Sequence, residues 1–174
     1  MKLQLSTPKD LAYPLLNKEC ERFNFLKPPL DINIFEFSNA LVECMQENMG
    51  LGLSANQVGF PFQIFTMYSE PPIVVINPKI LQVSEETIEL EEGCLSFPGE
   101  LIKVTRPVWI LARFIQPNGK PHMQRFEGMS ARVFQHEYDH LMGKTMHDHL
   151  SKLKREIYNK KKLKKEKHGV LDGL

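Results

Sequence analysis

Six short runs of β-forming residues lie between positions 63 and 116, and they constrain the fold more than any other feature of the chain. The runs are QIFTMY (63–68), IVVINP (73–78), KILQV (79–83), TIEL (87–90), LIKVT (101–105) and VWILARFIQ (108–116). PNGK at 117–120 contains an Asn-Gly pair that favours a tight turn, so we predict that 108–116 and 121–127 form a hairpin. The connections between the runs are therefore mostly antiparallel.

Helical patterns flank these runs. Asn33 followed by Glu36 resembles a capping box, and apolar residues at helical spacing predict a helix from Asn33 that stops at Gly50. A second helix is predicted over about 129–142 and a third from about Ser151. This order predicts an α+β fold, in which antiparallel or mixed strands surround a central helix and a further helix lies at the C-terminus.

Length and charge indicate one domain with a basic appendage. The 174 residues suffice for one hydrophobic core, and the sequence shows no internal repeat or long linker. Residues 152–167 carry nine Lys/Arg and two Glu, a net charge of +7, whereas the rest of the chain carries −6. We predict a single domain over 1–150 and a basic helix or tail over 151–174. That tail either binds an anionic partner or is a solvated helix.

The cysteines and the apolar runs bear on the compartment. Cys20, Cys44 and Cys94 are an odd and sparse set, which argues against a disulfide framework. No run approaches the ~20 apolar residues of a membrane span, and the first residues lack a continuous apolar stretch of signal-peptide length. We expect no membrane association and a cytoplasmic location, or the equivalent reducing compartment of an organelle or a phage-infected cell.

The segment QHEYDHLMG (135–143) is the first to indicate chemistry. His136 and His140 would stand one turn apart on the same face of a helix, close enough to hold one metal ion, and Glu137 follows the first histidine. Catalytic zinc-type sites normally use three protein ligands and keep one position for water. The motif therefore requires a third ligand from elsewhere in the chain.

Two kinds of third ligand are present. Downstream, where zincin-type metallopeptidases place theirs, stand Asp148, Glu156 and Glu166. The two glutamates lie in the lysine-rich tail, a poor place to build a closed metal site. Upstream, Cys94 in EEGCLSFPG (91–99) would give a His₂Cys site with one open position. The alternatives to a Cys94-dependent hydrolase are a zincin-like metallopeptidase and a non-catalytic ribosome- or RNA-binding protein with a structural metal.

Three segments, in this order, resemble the signatures of the peptide deformylases: GLGLSANQVG (50–59), EGCLS (92–96) and HEYDH (136–140). That family removes the N-formyl group from the initiator methionine of nascent chains. The resemblance runs from about residue 8 to the C-terminal helix and implies the same α+β arrangement. One departure is Ser54, which stands where the first motif commonly has alanine. Its hydroxyl needs a hydrogen-bond partner if it is buried.

The resemblance assigns chemical roles residue by residue. It implies one divalent metal bound by Cys94, His136 and His140. This metal is typically Fe²⁺, and Zn²⁺, Ni²⁺ or Co²⁺ can substitute. Glu137 is implied as the general acid/base when the activated water attacks the formyl carbon. Gln57 and the backbone N–H of Leu95 are implied as the donors that stabilise the oxyanion. Formate and a free N-terminus are the products.

The resemblance also implies an extended peptide substrate and an apolar slot for its methionine side chain. The predicted substrate-binding residues are Gly50, Leu51, Gly52, Leu90, Glu92, Met129 and Val133. The expected partners are N-formyl-methionyl nascent peptides. The basic C-terminal helix (152–167) resembles the one with which bacterial deformylases dock on the ribosome. Asp139 is expected to pair with Arg106. The sequence specifies no oligomeric state.

Overall fold

A computed structural model describes residues 1–6, 13–158 and 160 of the chain. Within these residues the architecture is α+β, as predicted, with one α-helix before a block of antiparallel strands and two after it. Short 3₁₀ turns at Tyr13–Asn17, Pro29–Asp31, Ala55–Val58 and Met146–His149 complete this part of the chain. None of its helices is long and apolar enough to cross a membrane.

Helix α1, Ile34–Glu47, begins where its sequence predicts. The Asn33 side chain accepts hydrogen bonds from two backbone N–H groups of the first turn, which would otherwise be unsatisfied. The helix ends earlier than predicted, because Met49 rather than Gly50 takes the left-handed conformation, with φ of 53°. The segment that follows, beginning at Gly50, leads directly into the first strand.

The larger sheet has five strands in the order β1-β2-β3-β6-β7, and every neighbouring pair is antiparallel. The strands are β1 (Gly52–Ser54), β2 (Ile64–Met67), β3 (Ile73–Val83), β6 (Trp109–Ile115) and β7 (Pro121–Glu127). The predicted hairpin is confirmed as β6 and β7. The glycine-rich motif, which sequence patterns left without an element, forms the short edge strand β1 and the 3₁₀ turn after it.

The predicted runs 73–78 and 79–83 form one strand rather than two. A bulge interrupts the pairing of β3 with β6 between Ile76 and Lys79, where Asn77 has a left-handed φ of 51°. The Asn77 side chain accepts from the Phe23 N–H and donates to the Phe23 carbonyl, both at 2.8 Å. The bulge therefore ties the N-terminal segment to the sheet.

The smaller sheet is the hairpin of β4 (Thr87–Cys94) and β5 (Phe97–Pro107). Both strands are longer than the predicted runs 87–90 and 101–105. The predicted runs end early because acidic and glycine residues interrupt the apolar pattern. The backbone pairing of the two strands continues through these residues. A register shift between Glu92 and Cys94 marks a bulge, and together with the two-residue turn 95–96 it places Cys94 at the tip of the hairpin.

Helix α2, Gly128–Leu141, lies between the two sheets and is the predicted central helix. It contacts β1, β2, β6 and β7 of the larger sheet and β5 of the smaller one. The Phe134 ring packs against those of Phe65 and Phe126, each with centroids 5.0 Å apart. With this apolar face buried under the larger sheet, the helix carries its histidines toward the tip of the β4–β5 hairpin.

The C-terminal segment is helical over residues 152–158, in agreement with the helix predicted from about Ser151. The Tyr158 hydroxyl and His147 Nε2 both donate hydrogen bonds to one carboxylate oxygen of Glu100, the histidine at 2.7 Å. These bonds attach the helix to β5. The rest of the basic segment predicted over 152–167, namely residue 159 and residues 161–167, lies outside the described residues.

Candidate active site

The three predicted metal ligands converge. Cys94 ends β4, and His136 and His140 lie one turn apart on α2, with their ring centroids 4.9 Å apart. The ligand atoms of all three lie within 4.8 Å of one another, and Cys94 Sγ is 3.3 Å from His140 Nε2. A thiolate with two imidazoles matches the donor set of a catalytic divalent metal, so these residues fit such an ion.

The downstream acids do not join this cluster. Among the described residues, Cys94, His136 and His140 form the group that could hold a metal. Asp148 instead accepts hydrogen bonds from Arg155 and from the Thr145 backbone. Glu156 lies in the C-terminal helix, and Glu166 lies outside the described residues. The described group that could hold a metal is therefore the cysteine-containing one rather than that of a zincin.

Burial and neighbouring charges give His136 and His140 different pKa values. Burial lowers the pKa of His140 to about 3, with the positive charge of His136 acting in the same direction. His140 is thus neutral, the form that binds metals. Burial also acts against the His136 cation, but hydrogen bonds to Cys94 and Glu92 outweigh it and raise the pKa of His136 to about 10. A metal at this position therefore replaces a proton on His136.

Glu92 lies at the centre of a buried network of charged side chains that contacts His136. Its carboxylate accepts hydrogen bonds from His136 Nδ1 at 3.0 Å, from Arg132 at 2.6 Å, and from two nitrogens of Arg106 at 2.6 and 2.9 Å. Because Nδ1 of His136 is engaged, Nε2 is the nitrogen left to bind a metal. Arg106 also donates to Asp139 at 2.8 Å, so the predicted pairing is confirmed.

This network adds to the role expected of Glu92, whose part in substrate binding stays a prediction. Glu92 lines the cavity described below, as a substrate-binding residue should, but only 6% of it is exposed and both carboxylate oxygens are occupied. Sequence reasoning missed Arg132, which also donates to the carbonyls of Val104 and Ile88. Its position four residues before His136, on the same face of α2, was the available signal.

Gln57 is buried, and its side-chain amide is held at both ends. Its Oε1 accepts from the Ser54 backbone N–H and from the Ser54 hydroxyl, both at 2.8 Å. Its Nε2 faces Cys94 Sγ at 3.4 Å and Ser96 Oγ at 3.2 Å. The amide therefore presents its donor to the ligand cluster, as the predicted oxyanion role requires. The two serines were not predicted as site residues.

Glu137 lies beside the cluster in a nearly closed environment, with 3% of its surface exposed. Burial raises the pKa of Glu137 to about 7, although the charge of His136 and the nearby Ser54 hydroxyl oppose this rise. Its Oε2 has no hydrogen-bond partner among the described residues. A carboxyl group of this pKa can both take up and return a proton near neutral pH.

Gly52 makes room for that carboxylate. A Cβ atom at position 52 would lie 2.5 Å from Glu137 Oε1 and 2.8 Å from Glu137 Cγ, closer than van der Waals contact allows. Gly52 therefore lets the edge strand β1 approach Glu137 closely.

A cavity of about 730 Å³ opens from the cluster. The predicted substrate-binding residues that line it are Gly50, Leu51, Gly52, Glu92, Met129 and Val133. Leu90, the remaining predicted substrate-binding residue, lies on β4 four residues before Cys94 and is 40% exposed, and its role stays a prediction. Met49 and Leu101 also line the cavity, and sequence analysis did not identify them.

The other two cysteines have no part in this site. Cys44 is buried in the apolar cluster beneath α1, as its helical spacing predicted, and Cys20 is buried in the cluster beneath α2. All three cysteines of the chain are free thiols, and only Cys94 is partly exposed.

Comparison with known proteins gives matches over most of the chain. The family model described as polypeptide deformylase matches residues 9–156. A peptide deformylase from Rickettsia akari is 38% identical over 147 residues, covering 78% of this chain and 83% of the relative.

Two solved structures match the fold. A peptide deformylase from Ehrlichia chaffeensis, in complex with actinonin, has a TM-score of 0.80 at 34% identity and covers 95% of this chain and 98% of its own. A Met-Ala-Ser-bound peptide deformylase from Acinetobacter baumannii has a TM-score of 0.77 at 25% identity and covers 86% of this chain and 99% of its own.

Proposed function

The chain belongs to the polypeptide deformylase family, and on this premise we propose how it removes the N-formyl group from formyl-methionyl peptides. One observation carries the proposal. A single cavity leads to three groups: the cluster of Cys94, His136 and His140, the Glu137 carboxyl and the Gln57 amide. A metal ligand set, a proton carrier and a hydrogen-bond donor are the parts that amide hydrolysis at a metal requires.

Cys94, His136 and His140 would hold the metal. A divalent ion bound there supplies Lewis-acid activation of a water molecule. The family resemblance makes Fe²⁺ the proposed native ion, and Zn²⁺, Ni²⁺ or Co²⁺ the ions that can replace it. Thiolate and imidazole donors suit each of these ions.

Glu137 is proposed to carry the proton. Its buried carboxylate takes a proton from the attacking water, whose oxygen forms a bond to the formyl carbon. As the bond from that carbon to the peptide nitrogen breaks, Glu137 returns the proton to the departing amine. The products are formate and a peptide with a free N-terminus.

Two donors are proposed to stabilise the negative charge that develops on the formyl oxygen. The Gln57 amide presents Nε2 beside Cys94. The second donor is the backbone N–H of Leu95, in the turn 95–96 that directly follows Cys94. A donor of this kind contributes roughly 3 kcal/mol to lowering the barrier.

The cavity accommodates the formyl-methionyl end of the substrate. Leu51, Met129 and Val133 give it an apolar wall for the methionine side chain, and Gly50 and Gly52 let the peptide backbone lie close to β1. The related Acinetobacter enzyme binds Met-Ala-Ser, the product that a formylated tripeptide would give. We propose the same class of substrate here, with Leu90 on β4 as a further substrate-binding residue.

The basic C-terminal segment is proposed to dock on the ribosome, where formylated chains emerge. Its lysines suit an RNA surface, and the docking would weaken as salt is raised. Co-sedimentation with ribosomes at low salt, compared between the full chain and one lacking 151–174, tests this. Equal co-sedimentation would contradict it. We also propose a cytoplasmic location, because the free Cys94 thiol that binds the metal requires a reducing compartment.

The products of formyl-Met-Ala-Ser distinguish this function from its two alternatives. The Fe²⁺- or Ni²⁺-loaded protein, handled without oxygen, is incubated with the peptide, and the products are identified by mass spectrometry and a formate assay. Formate with intact Met-Ala-Ser is the expected result. Cleavage of a peptide bond would indicate a metallopeptidase instead. An unchanged peptide with folded, metal-loaded protein would indicate a binding protein with a structural metal.

A further inference from the structure

The Ser54 hydroxyl is a polar group in a fully buried position, and it donates its one proton to Gln57 rather than to Glu137. Ser54 has 0% of its surface exposed and stands where the glycine-rich motif commonly has alanine. A buried hydroxyl without a partner would destabilise the fold, so its partners indicate its role.

Ser54 directs two hydrogen bonds to one atom. Its backbone N–H and its hydroxyl both donate to Gln57 Oε1 at 2.8 Å. A backbone N–H can only donate, so the atom facing it must be the amide oxygen of Gln57 rather than its nitrogen. The Gln57 NH₂ group must then point the other way, toward Cys94 and Ser96.

We propose that the Ser54 hydroxyl is a positioning group for the reaction, which fixes the plane of the Gln57 amide so that Nε2 stays aimed at the reacting oxygen. The amide nitrogen is itself held only by longer contacts, 3.2 Å to Ser96 Oγ and 3.4 Å to Cys94 Sγ, so the orientation of the amide depends on its oxygen end. Without the Ser54 hydroxyl, that end would keep a single donor, the Ser54 backbone N–H. This inference rests on the role proposed for Gln57.

Ser54 acts on Gln57 without touching the substrate cavity. Gln57 lines the cavity, whereas Ser54 does not, and only 1% of Gln57 is exposed. The loss of the hydroxyl should therefore slow the chemical step and leave the binding of the peptide nearly unchanged. A purely structural role would instead lower stability and leave the rate per folded molecule as it was.

A double-mutant cycle tests the proposal, with Ser54→Ala and Gln57→Ala made singly and together. Ser38→Ala is the matched control, because Ser38 is a buried serine in α1, away from the site. For formyl-Met-Ala-Ser we expect Ser54→Ala to lower kcat roughly three- to tenfold with KM unchanged. In the Gln57→Ala background we expect Ser54→Ala to have no further effect. An equal loss in both backgrounds, or no loss in the wild-type background, would overturn the proposal.

A second readout does not depend on activity. The side-chain amide resonance of Gln57 is identified in NMR spectra by its disappearance in Gln57→Ala. We expect it to be sharp and slow to exchange with solvent in the wild type and in Ser38→Ala, and broadened or fast to exchange in Ser54→Ala. An unchanged resonance would contradict the positioning role. A wild type that releases no formate but shows the expected amide change would refute the proposed function and leave the Ser54–Gln57 coupling intact.

Discussion

The carboxylate of Glu92 accepts a hydrogen bond from Nδ1 of His136 at 3.0 Å, while Arg106 and Arg132 occupy its remaining lone pairs. The ion pairs that Glu92 makes with the two arginines are all buried. This carboxylate therefore links His136 on α2 to the β4–β5 hairpin that carries Cys94. The geometry of the site and the stability of the fold depend on the same group.

Replacement of Glu92 by glutamine should weaken both metal binding and the fold. The amide lacks the charge that compensates two buried arginines, so we expect the free energy of unfolding to fall by about 3–5 kcal/mol. With His136 less firmly oriented, metal affinity should fall roughly 10- to 100-fold. Urea unfolding and chelator competition measure the two effects. Glu91→Gln, at the exposed neighbouring position, is the control and should change neither. Wild-type metal affinity in Glu92→Gln would contradict this role.

Replacement of Gly52 by alanine should displace Glu137. Its new Cβ would lie 2.5 Å from Glu137 Oε1, so the carboxylate must move away from the reacting atoms. A shift of about 1 Å at such a group can cost on the order of 100-fold in rate, and we expect a loss of that size in kcat. At Gly93 a Cβ would meet the Leu101 side chain at 3.4 Å, an ordinary contact, so Gly93→Ala is the comparison. Equal kcat values for the two variants would refute the steric argument.

Thiol reactivity should report metal binding at Cys94. Burial raises the pKa of the Cys20 thiol to about 12 and raises that of Cys44, so neither should react in the folded protein. Metal-free protein should therefore lose one thiol per chain to a thiol reagent, and Zn²⁺ should protect it. Cys94→Ala should lose none. A reaction rate that Zn²⁺ leaves unchanged would argue against Cys94 as a ligand.

Replacement of Tyr158 by phenylalanine should loosen the C-terminal helix. The variant loses the hydroxyl that donates to the Glu100 carboxylate. A hydrogen bond to a charged group contributes about 1.5–3 kcal/mol, so the helix should open more often. Hydrogen exchange over residues 152–158 should become faster than in the wild type and in Lys152→Ala, an exposed position of the same helix. Unchanged exchange in Tyr158→Phe would show that Glu100 does not hold the helix.

Local patterns in the sequence predicted the parts of this structure that depend on local geometry. The spacing of His136 and His140 places both rings on one helix face whatever surrounds the helix. The Asn-Gly turn fixes the β6–β7 hairpin, and Asn33 fixes the start of α1. The order of the motifs then linked Cys94 to the histidines, although Cys94 and His136 are 42 positions apart in the sequence.

The remaining features depend on contacts between distant segments, which a single sequence does not display. The ion pairs of Glu92 join β4, β5 and α2, and local sequence patterns do not indicate which arginines are its partners. Ser54 needed a buried partner, but only the folded turn shows that Gln57 is that partner.

The most direct test of the account is formate release from formyl-Met-Ala-Ser by wild type and Glu137→Gln, both loaded with Ni²⁺ and shown to contain it. Glutamine keeps the size of the side chain but cannot take up the proton. General acid–base catalysis contributes on the order of 10²- to 10⁴-fold, so we predict a loss in kcat within that range with the metal still bound. Formate release by Glu137→Gln within about tenfold of the wild-type rate would contradict the central role given to Glu137.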